Sequence, residues 1–215
     1  MTVIIGVVSQ KGGVGKSTIS RLIACNYAAN EWQVKIADMD LAQGTCTSWN
    51  RRRLQNEIQP KVSVEQFLNI DDALKVGAHY DLVVFDGAPH STRKTLEIAL
   101  ASDMVILPTG VSLDDLEPTI KLAHELKKNG VDPVRISIAL TRAGNSEVEL
   151  AEGMEYVTAS GYHLLEGVIH EKTAIRRASD EGKCATETSF KTINEKVDQL
   201  VQSIVNRVDW LSGKK

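Results

Sequence analysis

The sequence predicts an α/β fold: a single domain with a mostly parallel, doubly wound sheet flanked by helices. Short apolar runs alternate with helix-length amphipathic stretches from end to end. Those runs are mostly continuous rather than alternating, as strands covered on both faces require. At 215 residues, 42% hydrophobic and 25% charged, the chain has material for one full core. No repeat, low-complexity tract or Pro/Gly/Ser linker divides it, so one domain is expected over residues 1–215.

In chain order, Val3–Val8 reads as the first strand, followed by a Gly-rich turn and a helix-forming run from Ile19 to Ala29. Val34–Ala37, Leu82–Phe85, Met104–Leu107 and Val134–Leu140 read as later strands. Ser112 with Asp115 marks a helix start near Pro118, a residue suited only to a first turn. Lys127-Lys128-Asn129-Gly130 stops that helix with cations before a glycine, and Ser160-Gly161 stops the next. From about 190 to 211, Ile193, Val197, Leu200, Val201, Ile204, Val205 and Val208 recur at helical spacing, predicting a C-terminal amphipathic helix that docks on the sheet.

A formal charge of -3 gives no global field toward nucleic acid, so any such contact must be local or made by assembly. Cys25, Cys46 and Cys184 are too scattered for a disulfide framework or a metal pair and read as structural thiols. Val3–Val8 follows no basic leader and is too short for a signal peptide or a membrane span, so a cytoplasmic protein is expected.

The chemistry concentrates in Gln10-Lys11-Gly12-Gly13-Val14-Gly15-Lys16-Ser17-Thr18, between the first strand and the first helix. Glycines let successive backbone N–H groups turn inward, and the helix that follows presents its positive end to a phosphate. Lys16 then reaches the β- and γ-phosphates and the Ser17 hydroxyl can ligand Mg²⁺. Gln10 stands where the ordinary phosphate loop has its first glycine.

With Lys11 added, the loop resembles the deviant Walker A motif of the ParA/MinD ATPases, a class of P-loop NTPase. The resemblance implies binding of ATP or ADP with Mg²⁺, and an ATP-dependent homodimer in which Lys11 contacts the partner's nucleotide. It implies that Asp40, in Asp38-Met39-Asp40, faces the γ-phosphate and positions water, with Asp38 structural. Asp86 resembles the Walker B aspartate, and Gly87-Ala88-Pro89 the second switch. Leu41-Ala42-Gln43-Gly44 keeps the glutamine often found after the first switch but not the proline. Thr141 and Arg142, with Pro108-Thr109 and residues 169–174, correspond to stretches around the base.

The chain most resembles the short, ParF-type partition proteins, which lack an extra DNA-reading domain. That implies non-specific DNA binding, nucleoid association in the ATP state, and a ParB-like or centromere-binding adaptor that stimulates hydrolysis. Arg176 and Arg177, with Lys183, are the favoured DNA contacts; Arg51-Arg52-Arg53 is a second candidate, each run reading by default as solvated surface. No cysteine lies between Asp86 and Thr141, where the iron–sulfur relatives carry theirs. A MinD-like membrane ATPase is the nearest competitor, but residues 191–215 carry five basic against three acidic side chains, a poor anionic-lipid anchor, so no stable membrane association is expected. A ligase of the dethiobiotin synthetase type shares the fold, without a residue cluster that argues for its substrate.

Overall fold

A computed structural model of the protein describes residues 2–90 and 92–213. Among these residues eight strands lie in one parallel sheet: Val3–Val7 (β1), Val34–Asp38 (β2), Ser63–Gln66 (β3), Leu82–Asp86 (β4), Met104–Thr109 (β5), Ile136–Ala143 (β6), His163–Leu164 (β7) and Ile169–His170 (β8). Their order is β3-β2-β4-β1-β5-β6-β7, with β8 also paired to β6. The connecting helices are Lys16–Ala29 (α1), Thr45–Gln55 (α2), Ile70–Gly77 (α3), Thr92–Ala101 (α4), Leu113–Lys128 (α5), Glu147–Ala159 (α6), Thr173–Asp180 (α7) and Lys191–Ser212 (α8).

Both faces of the sheet are covered, which is why the strands read as unbroken apolar runs. Leu82 and Val84 of β4 point into one layer with Leu22 and Ile23 of α1 and Leu200 and Ile204 of α8. Val83 and Phe85 point into the other, with Ile98 of α4 and Leu116 and Leu122 of α5. The strand register aligns Val7, Asp38 and Asp86 in one row, so the acidic strand ends and the Gly-rich turn share an edge.

The predicted C-terminal helix is present, and its apolar stripe, Val197, Leu200, Val201, Ile204, Val208 and Leu211, is buried. The strand expected from Val134 begins instead at Ile136, because Pro133–Arg135 forms a 3₁₀ turn whose Val134 N–H is capped by the Asp132 carboxylate at 2.9 Å. Pro118 does not sit in a first turn as expected: α5 begins at Leu113, so the proline lies in the second turn. That offset leaves the Asp114 carbonyl without its helical N–H.

The run Arg51-Arg52-Arg53 is not a solvated cluster throughout. Arg53 is fully buried and makes two bonds to the Glu187 carboxylate, at 2.7 and 2.8 Å. Its remaining N–H groups go to the carbonyls of Gly182, Gln59 and Pro60. All five guanidinium donors are thereby used, and they clamp α2 to the segment between α7 and α8.

Burial works against the Glu187 carboxylate, but hydrogen bonds from Arg53 and the Cys184 N–H outweigh it and hold its pKa below the ordinary value. Its stabilising contribution is therefore complete above the unfolded-state pKa and is lost as pH falls through the lower folded-state one. Glu187→Ala strands a buried cation and should cost roughly 3 kcal/mol in urea unfolding. A loss under about 0.5 kcal/mol would show that the clamp adds nothing.

Candidate functional site

The turn from β1 to α1 gets its shape from Gly13 and Gly15, whose φ angles of 73° and 91° lie in the left-handed region. The Thr141 hydroxyl braces it from β6, 2.8 Å from the Val14 carbonyl and 3.1 Å from that of Thr109. Lys16 opens α1, is nearly buried, and donates to the Lys11 carbonyl at 3.1 Å. Burial lowers the Lys16 pKa, opposed by the charges of Asp86 and Asp40. An anion above the loop would relieve that desolvation.

Asp86, at the end of β4, is buried. It accepts from Ser20 Oγ at 3.0 Å and from Cys46 Sγ at 3.1 Å. Burial pushes its carboxyl above the ordinary aspartate range, against the pull of those bonds. Asp38 is buried and spends its carboxylate on the backbone N–H of Asp40 and on Thr47 N and Oγ1. It shapes the turn into α2. Asp40 is half-buried, and its Oδ1 accepts from the N–H groups of Ala42 and Gln43 at 3.2 and 3.0 Å.

Lys16, Asp86 and Asp40 face a cleft whose two lobes share the glycines of the loop, while Asp38 lies beneath it. The first lobe, about 220 Å³, is lined by Lys16, Ser17, Asp40 and Asp86 with Gly87 and Pro89. The second, about 180 Å³, lies among Thr141, Arg142, Ile169, Lys172, Ile175 and Arg176; Gly13, Gly15 and Thr18 border both. Cation, buried carboxylate, hydroxyl and inward amides in the first lobe suit a phosphate chain with a hard cation, while the second sets the aliphatic side chains of Ile169 and Ile175 among Arg142, Lys172 and Arg176.

Residues 5–185 match the family model described as the CobQ/CobB/MinD/ParA nucleotide binding domain. The chain belongs to this family. It is 30% identical over 203 residues to the maintenance of carboxysome distribution protein A of Gloeobacter kilaueensis, covering 89% of this chain and 88% of that one. To SopA of Escherichia coli K12 it is 22% identical, over 84% of this chain and 60% of that protein. A plasmid partition protein of Borrelia burgdorferi bound to AMPPNP superposes with a TM-score of 0.73 at 20% identity, covering 96% of this chain and 100% of that one. MinD of Pyrococcus horikoshii with Mg-ADP gives 0.69 at 20% identity, over 95% and 96% of the two chains. At such identities these structures establish a shared fold.

Within this ParA/MinD-family protein, Lys11 does not point into the phosphate lobe. Its ammonium is ion-paired with Asp115 and bonds the Asp114 carbonyl at 3.2 Å, the very carbonyl that Pro118 leaves open. Arg142 is exposed, with φ 54°, and reaches the Gly13 carbonyl at 3.4 Å. Arg176 lines the second lobe and pairs with Glu171 at 3.0 Å, Arg177 is exposed beside it, and Lys183 pairs with Glu181 at 2.6 Å.

Three contributors were not legible as site residues. Arg21, one helical turn beyond Ser17, lines the phosphate lobe with its guanidinium bonded to Thr45 O and Ser179 Oγ; helical spacing from Ser17 could have flagged it. Cys46 and Asp115 meet the site only through tertiary contacts, and no local pattern marks them.

Proposed function

We propose that the protein is a Mg²⁺-dependent ATPase that dimerises around ATP, binds DNA without sequence preference and positions a plasmid, chromosome or other cargo. A ParB-like adaptor stimulates its hydrolysis, and the protein is cytoplasmic, nucleoid-associated in its ATP state. The observation that carries this reading is the convergence of Lys16, Ser17, Asp40 and Asp86 on one lobe with a second lysine at the loop entrance.

Lys16 and the amides of Gly12–Thr18 hold the phosphates. The Ser17 hydroxyl and the carboxylates of Asp86 and Asp40 form an all-oxygen donor set, which fits Mg²⁺. Bound there, the ion would neutralise charge on the phosphoryl oxygens. With one oxygen of Asp40 fixed by two amides, the other is left to orient a water in line with the γ-phosphate. Arg21 is committed to Thr45 and Ser179, so the chain brings no arginine of its own to the γ-phosphate, and basal turnover is slow. Thr141 and Arg142 border the base. Asp40→Ala should lower single-turnover hydrolysis by about 100-fold or more while ATP still binds and the dimer persists on size exclusion. Wild-type hydrolysis would remove Asp40 from the reaction.

Arg176, Arg177 and Lys183 would be doubled across a dimer, so DNA contact rests on several phosphates and falls steeply with salt. The burial of the α8 apolar stripe speaks against a membrane-seeking helix. Gel shift on non-specific duplex DNA, run beside flotation with anionic liposomes, tests the reading. Binding to DNA with ATP but not ADP, lost at high salt and without liposome binding, is expected. Liposome binding alone would place the protein with membrane ATPases, and binding to neither would favour a small-molecule enzyme.

A further inference from the structure

The end of the sheet opposite the phosphate loop carries a second cleft. It lies between the C-terminal turn of α1 and the outer face of α8, with a volume of about 460 Å³. Tyr27 and Trp32 form its aromatic wall, edge to face with ring centroids 4.9 Å apart. Val201 and Val205 line it, and Asp198 and Asp209 stand along its α8 side. Beyond Asn30 and Trp32 it continues into a shallow extension edged by Glu31 and Asp81. No lysine or arginine is among the described residues that line either part.

Three further features point to a ligand. Tyr27 is only 6% exposed, yet its hydroxyl has no hydrogen-bond partner among the described residues. Buried hydroxyls are ordinarily satisfied, and this one belongs to a residue lining the cleft. The amides of Asn30 and Gln202 spend donors on Asn26 O and Asn206 Oδ1, at 2.9 and 2.8 Å, which leaves their carbonyl oxygens for a donor from outside. Trp32 is 38% exposed, an indole whose open surface has no counterpart in this fold's own packing.

Burial beside Asp209 pushes the Tyr27 hydroxyl up to about 12, so it stays protonated, and burial beside Glu195 raises the Asp198 carboxyl. Carboxylates, carbonyl oxygens and an indole together match a planar, donor-rich cation that can stack and hydrogen-bond at once.

We propose that this cleft is a docking site for an arginine-rich segment of a partner protein, with one arginine stacked against Trp32 and the segment held along α8 by Asp209 and Asp198, about 16 Å apart on that helix. Because it sits at the N-terminal ends of the strands, away from the phosphate loop, a partner engaged there leaves the nucleotide face free. The site stands whether or not the nucleotide reading does, and it is tested without nucleotide.

The probe is a fluorescein-labelled peptide of repeated Arg-Gly-Ser, titrated with full-length protein and read by fluorescence anisotropy. Saturable binding is expected, weakened about tenfold or more by Trp32→Ala and by the double variant Asp198→Asn with Asp209→Asn. Asp71→Asn with Asp72→Asn on α3 makes the same charge change elsewhere and should leave affinity unchanged. Absence of saturable binding, or equal weakening in the α3 control, would overturn the proposal. So would displacement of the peptide by spermidine at equal affinity, which would assign the cleft to small polyamines instead.

Discussion

Lys16→Ala is expected to weaken ATP and ADP binding by at least about 100-fold in a titration with a fluorescent nucleotide, close to 3 kcal/mol. The physical ground is the state of the side chain before any nucleotide arrives. Its ammonium is nearly buried, with burial lowering its pKa and Asp86 and Asp40 offsetting only part of that cost. A polyphosphate supplies the missing counter-charge, so lysine and ligand each relieve the desolvation of the other. Alanine removes the cation and leaves Asp86 and Asp40 in the lobe facing phosphate as like charges. Fold stability should hold, because the Lys16 ammonium bonds a loop carbonyl and not the core. Normal affinity in this variant would displace the nucleotide from the loop.

The second large effect concerns assembly. Lys11→Ala should leave nucleotide affinity within a few-fold of wild type but abolish the ATP-dependent dimer in sedimentation velocity. In the single chain, Lys11 is parked on α5, against Asp115 and the carbonyl opened by Pro118. To serve a partner's nucleotide, it must leave both contacts. The ion pair is partly solvent-facing and is worth about 1 kcal/mol or less. Asp115→Ala should therefore act in the opposite direction to Lys11→Ala, lowering the ATP concentration for half-maximal dimerisation by up to about fivefold. Unchanged dimerisation in both variants would remove Lys11 from the interface.

How much of this was readable in the chain depends on how local each cause is. The β1–loop–α1 unit is local: an apolar run, glycines at the positions needing left-handed backbone, and a helix-forming run follow one another, and the structure reproduces them. The long buried strands β4 and β5 are equally plain. β3 was missed because Ser63–Gln66 is a half-exposed edge strand with mixed polarity, and β7 and β8, two residues each, carry no periodicity. Asp38, Asp40 and Asp86 could be named because strand-end carboxylates follow apolar runs. The fate of Arg53 could not: a basic run looks the same whether solvated or clamped, and Glu187, its partner, lies 134 residues away. Cys46 likewise reads as an inert thiol until tertiary packing sets it 3.1 Å from Asp86.

The sheet order also governs when the loop acquires its form during synthesis. β1 is made first, but its neighbours are β4 and β5, and the hydroxyl that braces the turn belongs to Thr141 on β6. At a ribosomal rate of about 5–20 residues per second, the nascent loop waits roughly 6–25 s for that brace to be made. For the first roughly 3–14 s of that interval, until β4 is made, β1 and β2 lack the central partner that joins them, and their apolar runs depend on chaperones or the ribosome surface for cover. A chain truncated before β6 should therefore be insoluble and unable to hold nucleotide, although every residue of its phosphate loop would be present.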